Sequence, residues 1–274
     1  VRRILTVKHR FGLFDKPRPA KRRWTGSTSF GGSEHRELAR EAVRKSLVLL
    51  KNADNLLPLS KQARILVAGR NADNRGALCG GFTVAWQGTS GNEAIEGGSS
   101  VWEGIKACSP TAEFSLDGTL ADPKRHDVAV VVIGEHAYAE GMGDIRENDD
   151  VVVEAGSMIR GKLKVLEPYG KSLVLAELHP EDLQTLQTVA SAGLPVVAVL
   201  VSGRPLVIDA ELAVSQAFVA AWLPGSEGQG VADVLFGDFA FQGRLGFSWP
   251  KADGRPQNLG DVGYDPQFAF GFGL

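Results

Sequence analysis

The stretch from Asp127 to Asp144, DVAVVVIGEHAYAEGMGD, decides how this chain is read. Its first half, Val128 to Ile133, is an unbroken apolar run dominated by valine and closed by Gly134. β-Branched side chains suit a pleated backbone. A run that is apolar at every position predicts a strand buried on both faces, as in a parallel sheet with helices above and below it. The second half gathers Glu135, His136, Tyr138, Glu140 and Asp144 among glycines. Ligand sites in open α/β sheets lie outside the carboxyl ends of the strands, so chemistry is expected here.

Outward from that stretch, the same signature marks strands at 64–68, 195–201 and 217–222, with a shorter one near 113–115. Amphipathic spacing predicts helices at 35–51, 99–107, 181–190 and 231–236. The third of these starts with Pro180 and two acids and is followed by Gly193, as helix ends prefer. Alternating buried strands and helices predict an α/β fold, a three-layer α/β/α sandwich. Residues 145–178 carry no clear period and read as an elaboration. Residues 243–249 and the terminal FAFGFGL read as edge or covering segments.

At the other end, Ile4, Val7 and Phe11 at helical spacing predict a short helix running into an extended linker. The one domain boundary falls between residues 24 and 33. The first 24 residues are strongly basic, which reads better as a solvated tail than as a nucleic-acid arm. The whole chain, with 274 residues, 43% apolar, 23% charged and a net charge of -2, offers no general attraction to nucleic acid or an anionic membrane. No run reaches the roughly 18 apolar residues of a membrane span. Cys79 and Cys108 match no metal motif and can pair or stay free.

The loop after the 64–68 strand, RNADNRGALCGGFTVAWQG, has neither GxxxxGK[ST] nor GxGxxG, which argues against a nucleotide-binding regulator. Trp86 in it is either a core tryptophan or a platform for a sugar ring, since an aromatic face with neighbouring amides suits a polyhydroxyl ligand. Glu135 reads as a loop-orienting acceptor and His136 as a local donor. No second histidine lies at ligand spacing, so no metal site is expected. Asp144 and Asp73 read as loop supports, Arg204 as a fixture paired to a carboxylate, and Glu227 as an acid at a helix N-terminus. Ser202 and Ser226 form no GxSxG elbow.

Several strings in order resemble the second domain of glycoside hydrolase family 3: SLVLLKNADNLLPL at 46–59, CGGFTVAWQG at 79–88, VVIGEHAYAEGMGD at 131–144, VLVSGRPLVID at 199–209, AFVAAWLPGSEGQGVADVLFGD at 217–238 and VGYDPQFAFGFGL at 262–274. The second and third point to its exo-β-glucanase branch. The resemblance implies a mostly parallel sheet of about six strands in residues 33–274. It makes residues 1–32 the end of a preceding TIM-like barrel and the interdomain linker. It implies that Glu140 is the general acid/base of a retaining hydrolase acting on β-linked glucose oligosaccharides, with Trp86 and Phe82 as sugar-stacking aromatics. Phe82 stands where many relatives have tryptophan. The aspartate nucleophile has no counterpart here and belongs to the absent N-terminal barrel, so this chain alone is expected to be inactive. Glu135, His136, Asp144, Asp73 and Arg204 would support the loop or contact the barrel. No cofactor and no metal are called for, and secreted or periplasmic residence is implied. The rival expectation is a noncatalytic glucan-binding or structural module.

Overall fold

A computed structural model describes residues 1–139, 152–159, 162–166, 172–252 and 257–274; Glu140 and Asp144 lie outside them. The chain divides into two compact units, Val1–Leu38 and Ala39–Leu274. The first holds α1 (Arg2–Arg10), on which no residue is buried, and the start of α2 (Ser33–Ser46).

In the second unit come β1 (Val48–Asn52), β2 (Ile65–Ala68), α3 (Arg75–Cys79), α4 (Val101–Cys108), β3 (Glu113–Ser115) and β4 (Val128–Gly134). They are followed by β5 (Val152–Ile159), β6 (Lys162–Leu166), α5 (Leu175–Leu178), α6 (Pro180–Ser191), β7 (Val196–Val201), α7 (Asp209–Val214), β8 (Ala217–Trp222) and α8 (Gly228–Leu235). Six strands form one sheet in the order β1-β8-β7-β4-β2-β3, while β5 and β6 make a separate antiparallel pair. Every pairing in the large sheet is parallel except β1 with β8.

The unbroken valine runs fold as their pattern demands. Successive residues of β4 point to opposite faces, and both faces are dry. Val128, Val130 and Val132 join a core completed by Val43 of α2, Val101 and Ile105 of α4, and Val231 and Leu235 of α8. Ala129, Val131 and Ile133 join the other, with Leu175 of α5, Leu186 and Val189 of α6, and Leu212 of α7. Each such fully buried aliphatic side chain is worth about 1.5–3 kcal/mol. The result is the three-layer sandwich.

Local chemistry sets the helix ends. Ser100 and Glu103 cap α4 reciprocally: Glu103 N–H donates to Ser100 Oγ at 3.1 Å and Ser100 N–H to Glu103 Oε2 at 2.7 Å. Pro180 opens α6, with Glu181 and Asp182 in its first turn.

Three departures from the sequence reading stand out. The helix expected over 35–51 stops at Ser46, whose hydroxyl donates to the Val43 carbonyl at 2.9 Å, and the next residues become edge strand β1. Residues 47–50 are a four-residue apolar run, too short for periodicity to separate helix from strand. The loop after β2 contains α3, whose N-cap Asn74 accepts from Ala77 N–H at 3.0 Å. Residues 152–159 and 162–166 pair as the antiparallel strands β5 and β6.

The covering segments do more than lie on an edge. Trp249 is fully buried, its indole N–H donates to the Leu206 carbonyl at 2.7 Å, and its backbone bridges to Phe268. Trp249→Ala should therefore cost about 3–5 kcal/mol of stability, read as a lower urea midpoint. Trp249→Phe, which keeps most of the buried area, should cost clearly less.

Candidate active site

The chain places β3 on one side of β2 and β4 on the other, so the crevice outside the carboxyl ends of β2 and β4 is a topological switch point. Two segments leave the sheet there: Gly69-Arg70 from β2 and Glu135-His136 from β4.

Arg70 and Asp182 join them. Arg70 Nε donates to Asp182 Oδ1 at 3.0 Å and Nη2 to Oδ2 at 3.1 Å. The same guanidinium donates to the Gly134 carbonyl, and the Gly134 N–H donates back to Asp182 Oδ2 at 2.9 Å. Asp182 is 1% exposed. Burial lifts its carboxyl to about 6 even with Arg70 beside it.

Arg70 Nη1 also lies 3.1 Å from His136 Nδ1. A guanidinium only donates, so Nδ1 accepts and a neutral His136 carries its proton on Nε2. His179, buried, meets His136 edge-on with ring centroids 5.1 Å apart, and its Nδ1 is 3.3 Å from Glu181 Oε1. Burial, then the Arg70 charge, holds His179 down at about 4; the same two causes lower His136. Linear spacing concealed this second histidine. His136, His179 and Glu181 bring atoms of ligand type within 4.8 Å of one another, which corrects the expectation that His136 has no imidazole neighbour. Arg70 nonetheless engages His136 Nδ1 and lies 3.3 Å from Glu181. A metal ion there would face a fixed positive charge, and the donor set fits a pair of neutral imidazoles better than a cation site.

Glu135 is 3% exposed. Its Oε1 accepts from Arg204 Nε at 2.9 Å and its Oε2 from the Tyr138 hydroxyl at 2.9 Å. The Arg204 guanidinium also stacks 5.1 Å from the Tyr138 ring centroid. Burial raises the Glu135 carboxyl, opposed by Arg204 and the tyrosine. Glu135 thus orients the segment leaving β4. Glu135 and Asp182 each share their oxygens with a guanidinium, which leaves neither placed as a free proton donor.

The segment then runs to Ala139, 7% exposed, whose N–H donates to Gln87 Oε1 at 2.7 Å. Gln87 belongs to the loop that carries the aromatics. Phe82 is 71% exposed and takes a left-handed backbone at φ 57°. Its N–H donates to the carbonyl of half-buried Trp86 at 2.9 Å. A cleft of about 320 Å³ beside this loop is lined by Gln87, Thr89, Ser90 and His136. The side chains of Ser90 and His136 make part of its wall polar, which suits polar ligands.

Asp73 sits further back and accepts from Asn92 Nδ2 at 3.0 Å, bracing the loop base. Glu227 is buried at the N-cap of α8 and accepts from the Ser226 hydroxyl at 3.0 Å. Arg70, His179 and Asp182 escaped sequence reasoning as site residues, and Gln87 was noted only as one of the amides beside Trp86. The available signals were Arg70's place two residues past a strand and Asp182's place in a first helical turn.

Known proteins resemble this chain in sequence and fold. Residues 47–274 match the family model described as the glycosyl hydrolase family 3 C-terminal domain. The chain is similar to a lysosomal β-glucosidase of Dictyostelium discoideum, 32% identical over 291 residues that take in 100% of this chain and 33% of that protein. A crystal structure of the exo-1,3/1,4-β-glucanase of a Pseudoalteromonas species superposes with a TM-score of 0.80 at 41% identity, covering 98% of this chain and 32% of that one. The β-glucosidase of Listeria innocua in complex with glucose gives a TM-score of 0.69 at 28% identity, with 99% and 37% covered. This chain therefore spans about a third of the length of these relatives.

One buried acid yields a pH prediction. Glu211 of α7 is 1% exposed, and among the described residues neither carboxylate oxygen has a hydrogen-bond partner. Burial, with the Asp182 and Asp209 charges nearby, pushes it from 4.5 up to about 7. Between those values the folded chain holds a proton that the unfolded chain releases, so stability falls as pH rises and the loss is complete above the folded value. Glu211→Gln should match the parent near about pH 4 and exceed it by something on the order of 3 kcal/mol above about pH 8, in urea melts across that range.

Proposed function

Because the chain belongs to glycosyl hydrolase family 3, as its C-terminal domain, we propose that it is the acid/base half of a retaining β-glucoside hydrolase. Glu140 is the residue assigned to that role. The observation that carries the reading is the held end of the central strand. Glu135 is locked by Arg204 and Tyr138, and Ala139, which immediately precedes Glu140, is buried and hydrogen-bonded to Gln87.

Retaining hydrolysis uses two carboxyl groups roughly 5 Å apart, one attacking the anomeric carbon and one donating, then removing, a proton. Glu140 protonates the departing glycosidic oxygen and then deprotonates the water that releases the sugar. The attacking carboxylate is assigned to an aspartate of an N-terminal barrel, for which relatives about three times longer leave room. Residues 1–32 are read as the tail of that barrel and the linker, a reading supported by exposed Ile4, Val7 and Phe11 on and beside α1. Trp86 and Phe82 form the platform for the next sugar, with β-linked glucose oligosaccharides as the substrate class. The glucose complex of the Listeria relative supports that class. A periplasmic β-glucosidase of Salmonella typhimurium, 29% identical, supports secreted or periplasmic residence.

Glu140→Ala in the full-length protein tests the assignment. Cleavage of an alkyl β-glucoside, whose leaving group needs a proton, should fall by about 10²–10⁴-fold. Formation of the glycosyl-enzyme from a dinitrophenyl β-glucoside should be nearly unchanged, and added azide should yield the β-glycosyl azide. Equal losses on both substrates would remove Glu140 from the role. A full-length protein that binds glucan without cleaving either substrate would favour the noncatalytic module.

A further inference from the structure

Residues 137–139 are touched one after another by the loop between Gly80 and Gly88. Gly88, at φ 81°, comes so close to Ala137 that an added Cβ would stand 2.6 Å from the alanine methyl. A Cβ on Gly81 would overlap the Tyr138 carbonyl oxygen. Gln87 Oε1 takes the Ala139 N–H at 2.7 Å. Ala139 is 7% exposed, so that N–H has little access to water and relies on the glutamine. The three contacts join segments about 50 residues apart in sequence, 52 for Gln87 and Ala139, and they end at the residue before Glu140.

We infer that Gln87 is a positioning residue for proton transfer: its side-chain carbonyl fixes the backbone from which Glu140 departs and couples it to the loop carrying Phe82 and Trp86. The inference rests on Glu140 being the acid/base. A carboxyl group that must reach a glycosidic oxygen loses efficiency with small displacements, because proton transfer requires hydrogen-bond geometry. A side-chain acceptor on the neighbouring loop holds that geometry at the last residue of the segment. Trp86 immediately precedes Gln87, so a sugar settling on the aromatic loop also bears on the backbone that presents the acid.

The test compares leaving groups in the full-length protein. Gln87→Met keeps the length of the side chain and removes the strong acceptor. It should lower kcat/KM for an alkyl β-glucoside by about tenfold or more while changing glycosyl-enzyme formation from a dinitrophenyl β-glucoside by less than about threefold. Gln87→Glu, which retains an acceptor oxygen at the same reach, should keep the ratio between the substrates near the parent value. Equal losses on both substrates in Gln87→Met, as misfolding or a damaged sugar site would give, overturn the inference, and so does no loss on either. Glu140→Ala run alongside separates the two levels. If it shows the leaving-group dependence and Gln87→Met does not, only the positioning role fails. If Glu140→Ala lacks that dependence, the acid/base reading fails and takes this one with it.

Discussion

A charge taken out of water governs the carboxyl end of this sheet. Asp182 is almost completely buried, and its cost is offset by Arg70 and by one backbone N–H of Gly134. Removing either partner of such a pair leaves an uncompensated buried charge, which is far more damaging than never having had the pair. Through it the exit of β2, the exit of β4 and the first turn of α6 are fixed together. The Arg70 guanidinium then sets the hydrogen-bonding side of His136. The polar segment that follows β4 starts from a frame decided by this one ion pair.

From there the segment is secured residue by residue. Glu135 turns inward to Arg204 and Tyr138, and Ala139 is held by Gln87. The division of labour among carboxylates follows from burial and partners. Those that are enclosed by guanidinium groups serve architecture, and the proposed acid/base, Glu140, follows the anchored stretch in sequence. The chain is a family 3 C-terminal domain and spans about a third of the length of its relatives.

How much of this was legible in the sequence follows from the range of the interactions involved. Burial on both faces of a parallel strand leaves an unbroken apolar run, so β4, β7 and β8 could be read directly. Helix α4 was read from the helical spacing of Val101 and Ile105, while its Ser100–Glu103 cap, although written within four residues, went unread. β1 stayed hidden because residues 47–50 continue the phase of α2, and only pairing with β8 decides their state. Helix α3 has a local cap, Asn74 with Ala77, but five residues are too few to show a helical period. At the site, the strand-end rule located Glu135 and His136. The partners that give them meaning did not show: Arg70 and Asp182 are separated by 112 residues, and no local pattern records that pairing.

The placement of β1 bears on how the chain comes to be folded. The first strand of the large sheet lies antiparallel against the last, with Val48 opposite Ala220 and Leu49 opposite Val219. Contacts of such long sequence separation pay their loop-closure entropy late. During synthesis from the amino terminus, the 47–50 segment waits without a partner until β8 has left the ribosome, an exposed apolar edge throughout that interval. Completion of the sheet is thereby made conditional on the arrival of the carboxyl-terminal region, and a chain cut short before Ala217 would leave that strand permanently open to other molecules.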